Sequence, residues 1–182
     1  MRYLQLVRWK NLVIISITQF SIWLFLIKPI YSQTHMPLHT SIATLIGILL
    51  STLFIAAAGY IINDYFDINI DQVNKPKSVV VGAYISRRWV IFWHLILSMG
   101  GVYLSLIAFP FQQYVHIHFS NLVTILILWF YSTNFKRDFL IGNVVIAVLT
   151  AWTIGVVYFS KFTFMQLAHP THMQPADLKL FK

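Results

Sequence analysis

No cysteine and no glutamate occur in the 182 residues, and acid of any kind is scarce: Asp64, Asp67, Asp71, Asp138 and Asp177 are the whole inventory. The missing cysteine excludes disulfides, thiolate metal sites, c-type haem attachment and cysteine nucleophiles. Charge as a whole is thin, at 10% of residues, where an ordinary soluble domain carries roughly 25%. It is absent altogether from residues 11–27, 29–63, 89–135 and 139–160. A bilayer span needs about 20 mostly apolar residues, so these runs, in a chain whose mean hydropathy over all 182 residues is +0.72, exclude a soluble domain. They predict an all-α, polytopic membrane protein.

Five spans follow from the runs. Leu12 to Ile27 comes after Arg2, Arg8 and Lys10 like a signal peptide, but no small-residue cleavage site follows, so it reads as a retained first helix. Leu38 to Ile62 spans with tilt, and its Ala56-Ala57-Ala58-Gly59 stretch offers a surface for close helix approach. The 47 residues from Trp89 to Phe135 are too long for one crossing; Pro110 with Gln112 and Gln113 divides them into helices near 89–109 and 115–131. Phe139 to Phe159 is the fifth, and residues 1–182 read as a single transmembrane domain without repeats or linkers.

The net charge of +8 does not signal nucleic-acid binding, because the bases sit in short clusters between apolar runs. Short basic loops mark the cytoplasmic side. With the amino terminus inside, that side holds nine Lys and Arg (Arg2, Arg8, Lys10, Lys75, Lys77, Arg87, Arg88, Lys136, Arg137) and the other four (Lys28, Lys161, Lys179, Lys182). The predicted location is an integral membrane, the inner membrane if the cell is bacterial, with the amino terminus and the acids cytoplasmic.

Three of the five acids fall within eight residues, where an apolar helix runs into Asn63-Asp64-Tyr65-Phe66-Asp67-Ile68-Asn69-Ile70-Asp71. On a continuous helix Asn63 and Asp67, and Asp67 and Asp71, are i,i+4 neighbours and Asp64 and Asp67 are i,i+3, so all share one side. Carboxylates stacked beside a low-dielectric core repel and are costly to desolvate, which calls for protonation or a cation. A hard, oxygen-seeking ion such as Mg²⁺ is held by one or two carboxylates plus substrate phosphate oxygens. Lys75, Lys77, Lys136 and Arg137 lie in loops on the same side, where they could neutralise a departing phosphate; positive-inside charge alone would also account for them. The pattern suggests a membrane-embedded substrate with a diphosphate head.

Asn63-Asp64-x-x-Asp67-x-x-x-Asp71 followed by Asn74-Lys75-Pro76, and later Tyr131-Ser132, Lys136-Arg137 and Gly142-Asn143, resemble the first aspartate-rich motif and a second loop of the UbiA-type intramembrane prenyltransferases. The resemblance runs from about Leu12 to Tyr158. It implies a helical bundle with a lipid-open cavity, in which Asn63, Asp64, Asp67 and Asp71 hold Mg²⁺ and a prenyl diphosphate donor. It further implies that Lys136 contacts the diphosphate and Arg137 assists, with a lipophilic acceptor capturing the prenyl group in isoprenoid or lipid biosynthesis. Within the family the stretch 56–82 is most similar to the branch that transfers geranylgeranyl to geranylgeranylglycerol phosphate; an aromatic quinone precursor or haem is the alternative acceptor.

Two departures qualify the resemblance. The family has about nine helices and a second aspartate-rich motif, and nothing after Asp71 supplies one, so the chain resembles the amino-terminal half of such an enzyme, to be completed by a carboxy-terminal half or second subunit. Where the family often has Arg-Pro, this chain reads Lys77-Ser78. The rival readings are a non-catalytic prenyl-diphosphate-binding membrane protein and an ion transporter; the latter predicts carboxylates near mid-span and not at a helix end. His116 and His118 read as residues of a wetted loop, Trp89, Trp129 and Tyr131 as interface anchors, and Tyr60 and Tyr65 as aromatic neighbours of the acids.

Overall fold

The computed structural model describes residues 2–33, 42–74, 79–162 and 166. In chain order the elements are α1 (Arg2–Leu6), α2 (Trp9–Ser21), a π-helical stretch (Ile22–Ile27), α3 (Lys28–Gln33), α4 (Ile42–Phe66), α5 (Ile68–Asn74), α6 (Arg87–Ala108), α7 (Val115–Thr133), a 3₁₀ turn (Phe135–Arg137) and α8 (Phe139–Phe159). Among the described residues, five helices are long and apolar enough to cross a membrane: Trp9–Ile30, Ile42–Phe66, Arg87–Ala108, Val115–Thr133 and Leu140–Phe159. The five predicted spans are therefore present, each within a few residues of its expected place. The first is longer at both ends than its apolar run, because Trp9, Lys10 and Lys28 can lie in the interface while the helix continues.

Local chemistry sets the breaks. Phe109 is extended (φ −137°, ψ 134°) ahead of Pro110, as a residue before proline prefers, and α6 stops there. A turn with Gln113 and Tyr114 amides on the Pro110 carbonyl then leads directly into α7. His116 and His118 consequently lie in the first turn of α7, which corrects their placement in a wetted loop: His118 is buried, with Nδ1 2.8 Å from Ser105 Oγ.

The most enclosed helix, α4, is the axis of the bundle. Small residues allow its neighbours to approach closely. A Cβ on Gly47 would lie 2.4 Å from Ala108 Cβ, one on Gly101 2.6 Å from Ile55 Cγ1, and one on Gly59 2.9 Å from Leu128. The small surface at Ala57, Ala58 and Gly59 is thus used as expected, against α6 and α7; His94 of α6 meets the Ala58 carbonyl at 3.0 Å. Polar side chains tie the spans internally, since lipid offers them no partner. Ser51 donates to the Gly101 carbonyl (2.7 Å) and accepts from Asn121 (3.3 Å), while Gln19 joins α2 to Thr52 and to the Thr153 carbonyl (3.0 and 2.9 Å).

Apolar packing gathers at the two ends. One cluster contains Ile27, Leu45, Ile48, Phe109, Ile117, Val156 and Val157. The other, beneath the acids, contains Leu6, Ile61, Ile68, Val80, Val81, Ile85 and Val90. Leu6, only 1% exposed, pins α1 there, and the loop before α6 folds over it through Gly82 (φ 84°), whose amide donates to the Ile85 carbonyl at 2.8 Å.

Candidate functional site

The acids sit where α4 hands over to α5. The helix is not continuous across them, as the spacing argument assumes: α4 ends at Phe66, Asp67 is a turn residue, and α5 starts at Ile68. Helical register nevertheless survives the break, because the Asp67 amide donates to the Asn63 carbonyl (3.1 Å) and the Asp71 amide to the Asp67 carbonyl (2.8 Å). The i,i+4 relation between Asn63 and Asp67 is realised directly, with Asn63 Nδ2 donating to Asp67 Oδ2 at 2.9 Å.

Lys136 completes this pair from a distant element. Its ammonium donates to Asp67 Oδ2 and, at 3.2 Å, to Asn63 Oδ1. Asp67 is 7% exposed, so its carboxylate is held in place by an amide and an ammonium and is shielded from bulk water. The position of Lys136 depends on Gly142: a Cβ there would lie 2.8 Å from the Phe135 carbonyl oxygen, so the 3₁₀ turn can rest on the first turn of α8 only because that side chain is absent.

Asp64 faces a different cation. Arg8 Nη2 donates to Asp64 Oδ1 at 2.8 Å, and the guanidinium lies 5.3 Å from the Tyr60 ring centroid. Arg8 takes the left-handed conformation (φ 50°) at the junction of α1 and α2. Asp71 is half-buried one turn beyond Asp67. Among the described residues, no three acidic or histidine side chains gather as a metal cage; instead Asp64 and Asp67 each face a base from another element.

Of the residues singled out from the sequence, the structure brings together Asn63, Asp67 and Lys136, with Asp64 and Asp71 on the adjoining turns. Lys75, Lys77 and the Arg137 side chain lie outside the described residues. Arg8 is the contact that sequence reasoning misses, because one of several amino-terminal bases carries no signal beyond topology. Tyr60 lies against Arg8, and Tyr65 packs edge-on against Phe66.

A carboxylate pair thus stands at the mouth of an apolar bundle, countered by bases from the ends of the first and fourth spans. The model of the UbiA prenyltransferase family matches residues 30–170, more than half of the chain. The chain belongs to the UbiA prenyltransferase family. Among curated relatives, the digeranylgeranylglyceryl phosphate synthase of Saccharolobus solfataricus is 32% identical over 93% of this chain and 56% of its own length. That of Hyperthermus butylicus is 34% identical over 86% of this chain and 50% of its own length. A solved structure described as "Structural and mechanistic insights into the biosynthesis of Digeranylgeranylglyceryl phosphate synthase in membranes" matches with a TM-score of 0.73 at 26% identity, over 92% of this chain and 55% of that one. The chain spans about half the length of the curated relatives it matches. With five apolar spans and this family, it is an integral membrane protein.

Proposed function

We propose that this chain provides the donor-binding half of an intramembrane prenyltransferase. The prenyl group passes from a prenyl diphosphate to a lipid-soluble acceptor of the geranylgeranylglycerol phosphate kind. The observation that carries the reading is the Asn63–Asp67–Lys136 constellation at the end of an apolar bundle. The names of the relatives support the acceptor class, with an aromatic quinone precursor or haem as the alternative. The positive-inside balance supports a cytoplasmic amino terminus and aspartate cluster.

The donor set fits Mg²⁺. Asn63, Asp64, Asp67 and Asp71 offer hard oxygens over about two turns, and Mg²⁺ asks only one or two carboxylates of a protein when phosphate and water fill the remaining positions. When bound, the ion neutralises charge accumulating on the leaving diphosphate. Lys136, with Lys75, Lys77 and Arg137, contacts the non-bridging oxygens. The prenyl C1–O bond breaks with both electrons leaving on diphosphate, the acceptor oxygen bonds to C1, and its proton passes to solvent. The apolar walls keep water from the allylic cation.

Turnover is assigned to this chain together with the other wall of the cavity, from a carboxy-terminal half or a second subunit; the chain spans about half the length of the relatives it matches. The second reading is a prenyl-diphosphate-binding membrane protein without turnover. Binding of labelled geranylgeranyl diphosphate to the chain in nanodiscs tests the shared core of both. Binding that requires Mg²⁺ and is lost in Asp67→Ala, with insertion intact, is the expected result. Binding unchanged in that variant overturns the metal assignment, and product formation on adding the acceptor separates enzyme from binder.

A further inference from the structure

The ammonium of Lys136 and a divalent ion would claim the same oxygen. Asp67 Oδ2 accepts from both Lys136 Nζ and Asn63 Nδ2, and the carboxylate is buried. We propose that Lys136 is an internal competitor for the metal at Asp67, and that loading the site is an exchange in which Lys136 gives up Asp67 to the ion and transfers its charge to the incoming diphosphate. The proposal deepens the prenyl-diphosphate reading and rests on it.

Three features of the chain favour exchange at Lys136. The residue projects from a three-residue 3₁₀ turn between two spans, and its side chain is about one-third exposed, so its flexible stem can swing without disturbing a helix. Its partners, Asn63 Oδ1 and Asp67 Oδ2, are both candidate metal ligands, so its departure frees the whole pair at once. Arg8, by contrast, has a second contact at the Tyr60 ring besides its pair with Asp64, and neither contact involves Asn63 or Asp67.

Exchange has a consequence that simple diphosphate contact lacks. A lysine that only attracts diphosphate would, when removed, weaken diphosphate binding and leave metal binding alone. A lysine that competes for Asp67 has opposite effects on the two ligands. Without Lys136, metal alone binds more tightly and diphosphate more weakly. The coupling also favours loading metal and diphosphate together, because an ion arriving alone must displace the ammonium without offering it a new partner.

The test is calorimetric titration of MgCl₂ alone, then of geranylgeranyl diphosphate at saturating Mg²⁺, into the full chain in nanodiscs. The proteins compared are wild type, Lys136→Met, Lys136→Arg and Lys10→Met. Lys136→Met is expected to bind Mg²⁺ alone roughly fivefold more tightly, the size of a partly exposed ion pair, and to bind the diphosphate more weakly. Lys136→Arg keeps the charge and is expected to stay near wild type for Mg²⁺. Lys10→Met removes an exposed base outside the constellation and is expected to leave both affinities unchanged. Mg²⁺ affinity unchanged or reduced in Lys136→Met overturns the exchange, as does an equal gain in Lys10→Met, which would mean a general field effect. If wild type fails to bind geranylgeranyl diphosphate while Lys136→Met still gains Mg²⁺ affinity, the competition stands and the substrate reading falls.

Discussion

Arg8 reaches Asp64 across 56 positions of sequence, with Nη2 2.8 Å from Oδ1, while its own backbone is held at φ 50°. A left-handed conformation costs a residue with a Cβ about 1 kcal/mol or more. The buried Leu6 and the Asp64 contact are what the chain gains in return. Two substitutions separate the parts. Arg8→Ala loses the ion pair and keeps the strain, whereas Arg8→Gly loses the pair and relieves it. Arg8→Gly is therefore expected to be the more stable of the two by about 1 kcal/mol. Thermal unfolding in one detergent measures the difference, and Arg8→Ala equal to or above Arg8→Gly would show that the bend carries no strain.

Gly47 and Ala108 set the separation of α4 and α6. A Cβ on Gly47 would stand 2.4 Å from the Ala108 methyl, and neither group can rotate away. Gly47→Ala is expected to destabilise the bundle by about 1–3 kcal/mol, the usual effect of overpacking. Ala108→Gly removes the opposing methyl, so the double variant should recover most of that loss despite a helix-propensity cost of about 1 kcal/mol. Unfolding free energies of the four proteins in a double-mutant cycle decide the point. Additive effects would mean that the helices simply move apart.

Much of the bundle is legible in the sequence because the bilayer imposes one period and one length. Four charge-free runs place all five spans once Pro110 divides the longest of them between the third and fourth. The site is legible where it depends on local spacing, as in Asn63 and Asp67. Lys136 was reachable through its resemblance to a family motif, since 69 residues separate it from Asp67 and no periodicity links them. Arg8 is not legible: its partner depends on how the amino-terminal turn folds back, and membrane topology alone accounts for its charge. The same holds for Gln19, Ser51 and Asn121, whose polarity says that they face inward without saying what they meet.

Gly142 has a positional role that a glycine at the start of α8 does not advertise. An added Cβ meets the Phe135 carbonyl oxygen at 2.8 Å, and a backbone atom can yield only if the 3₁₀ turn shifts and carries Lys136 with it. Gly142→Ala is expected to weaken geranylgeranyl diphosphate binding by about tenfold, as displaced supporting groups do at metal sites. Gly155→Ala, in the same helix and facing only the Trp152 and Phe159 side chains, serves as the control and should bind normally. Equal binding in the two variants would show that the turn relaxes without moving the ammonium.

Lys161, in the turn after α8, gives stability a definite dependence on pH. Burial disfavours its charged form and lowers its pKa from 10.5 to about 8. Below pH 8 the folded and unfolded chains both carry the proton, and folding bears the cost of desolvating an ammonium. Between about 8 and 10.5 the folded chain has released the proton while the unfolded chain still holds it, so stability rises with pH. Above that window both forms are neutral and the gain is complete. The melting temperature is therefore expected to climb from pH 7.5 to about 10 in wild type against any background trend. Lys161→Met never buries a charge there, so it should melt higher than wild type at pH 7.5 and lose that advantage as pH rises. Parallel melting curves for the two proteins across this range would show that the Lys161 ammonium stays hydrated in the folded chain.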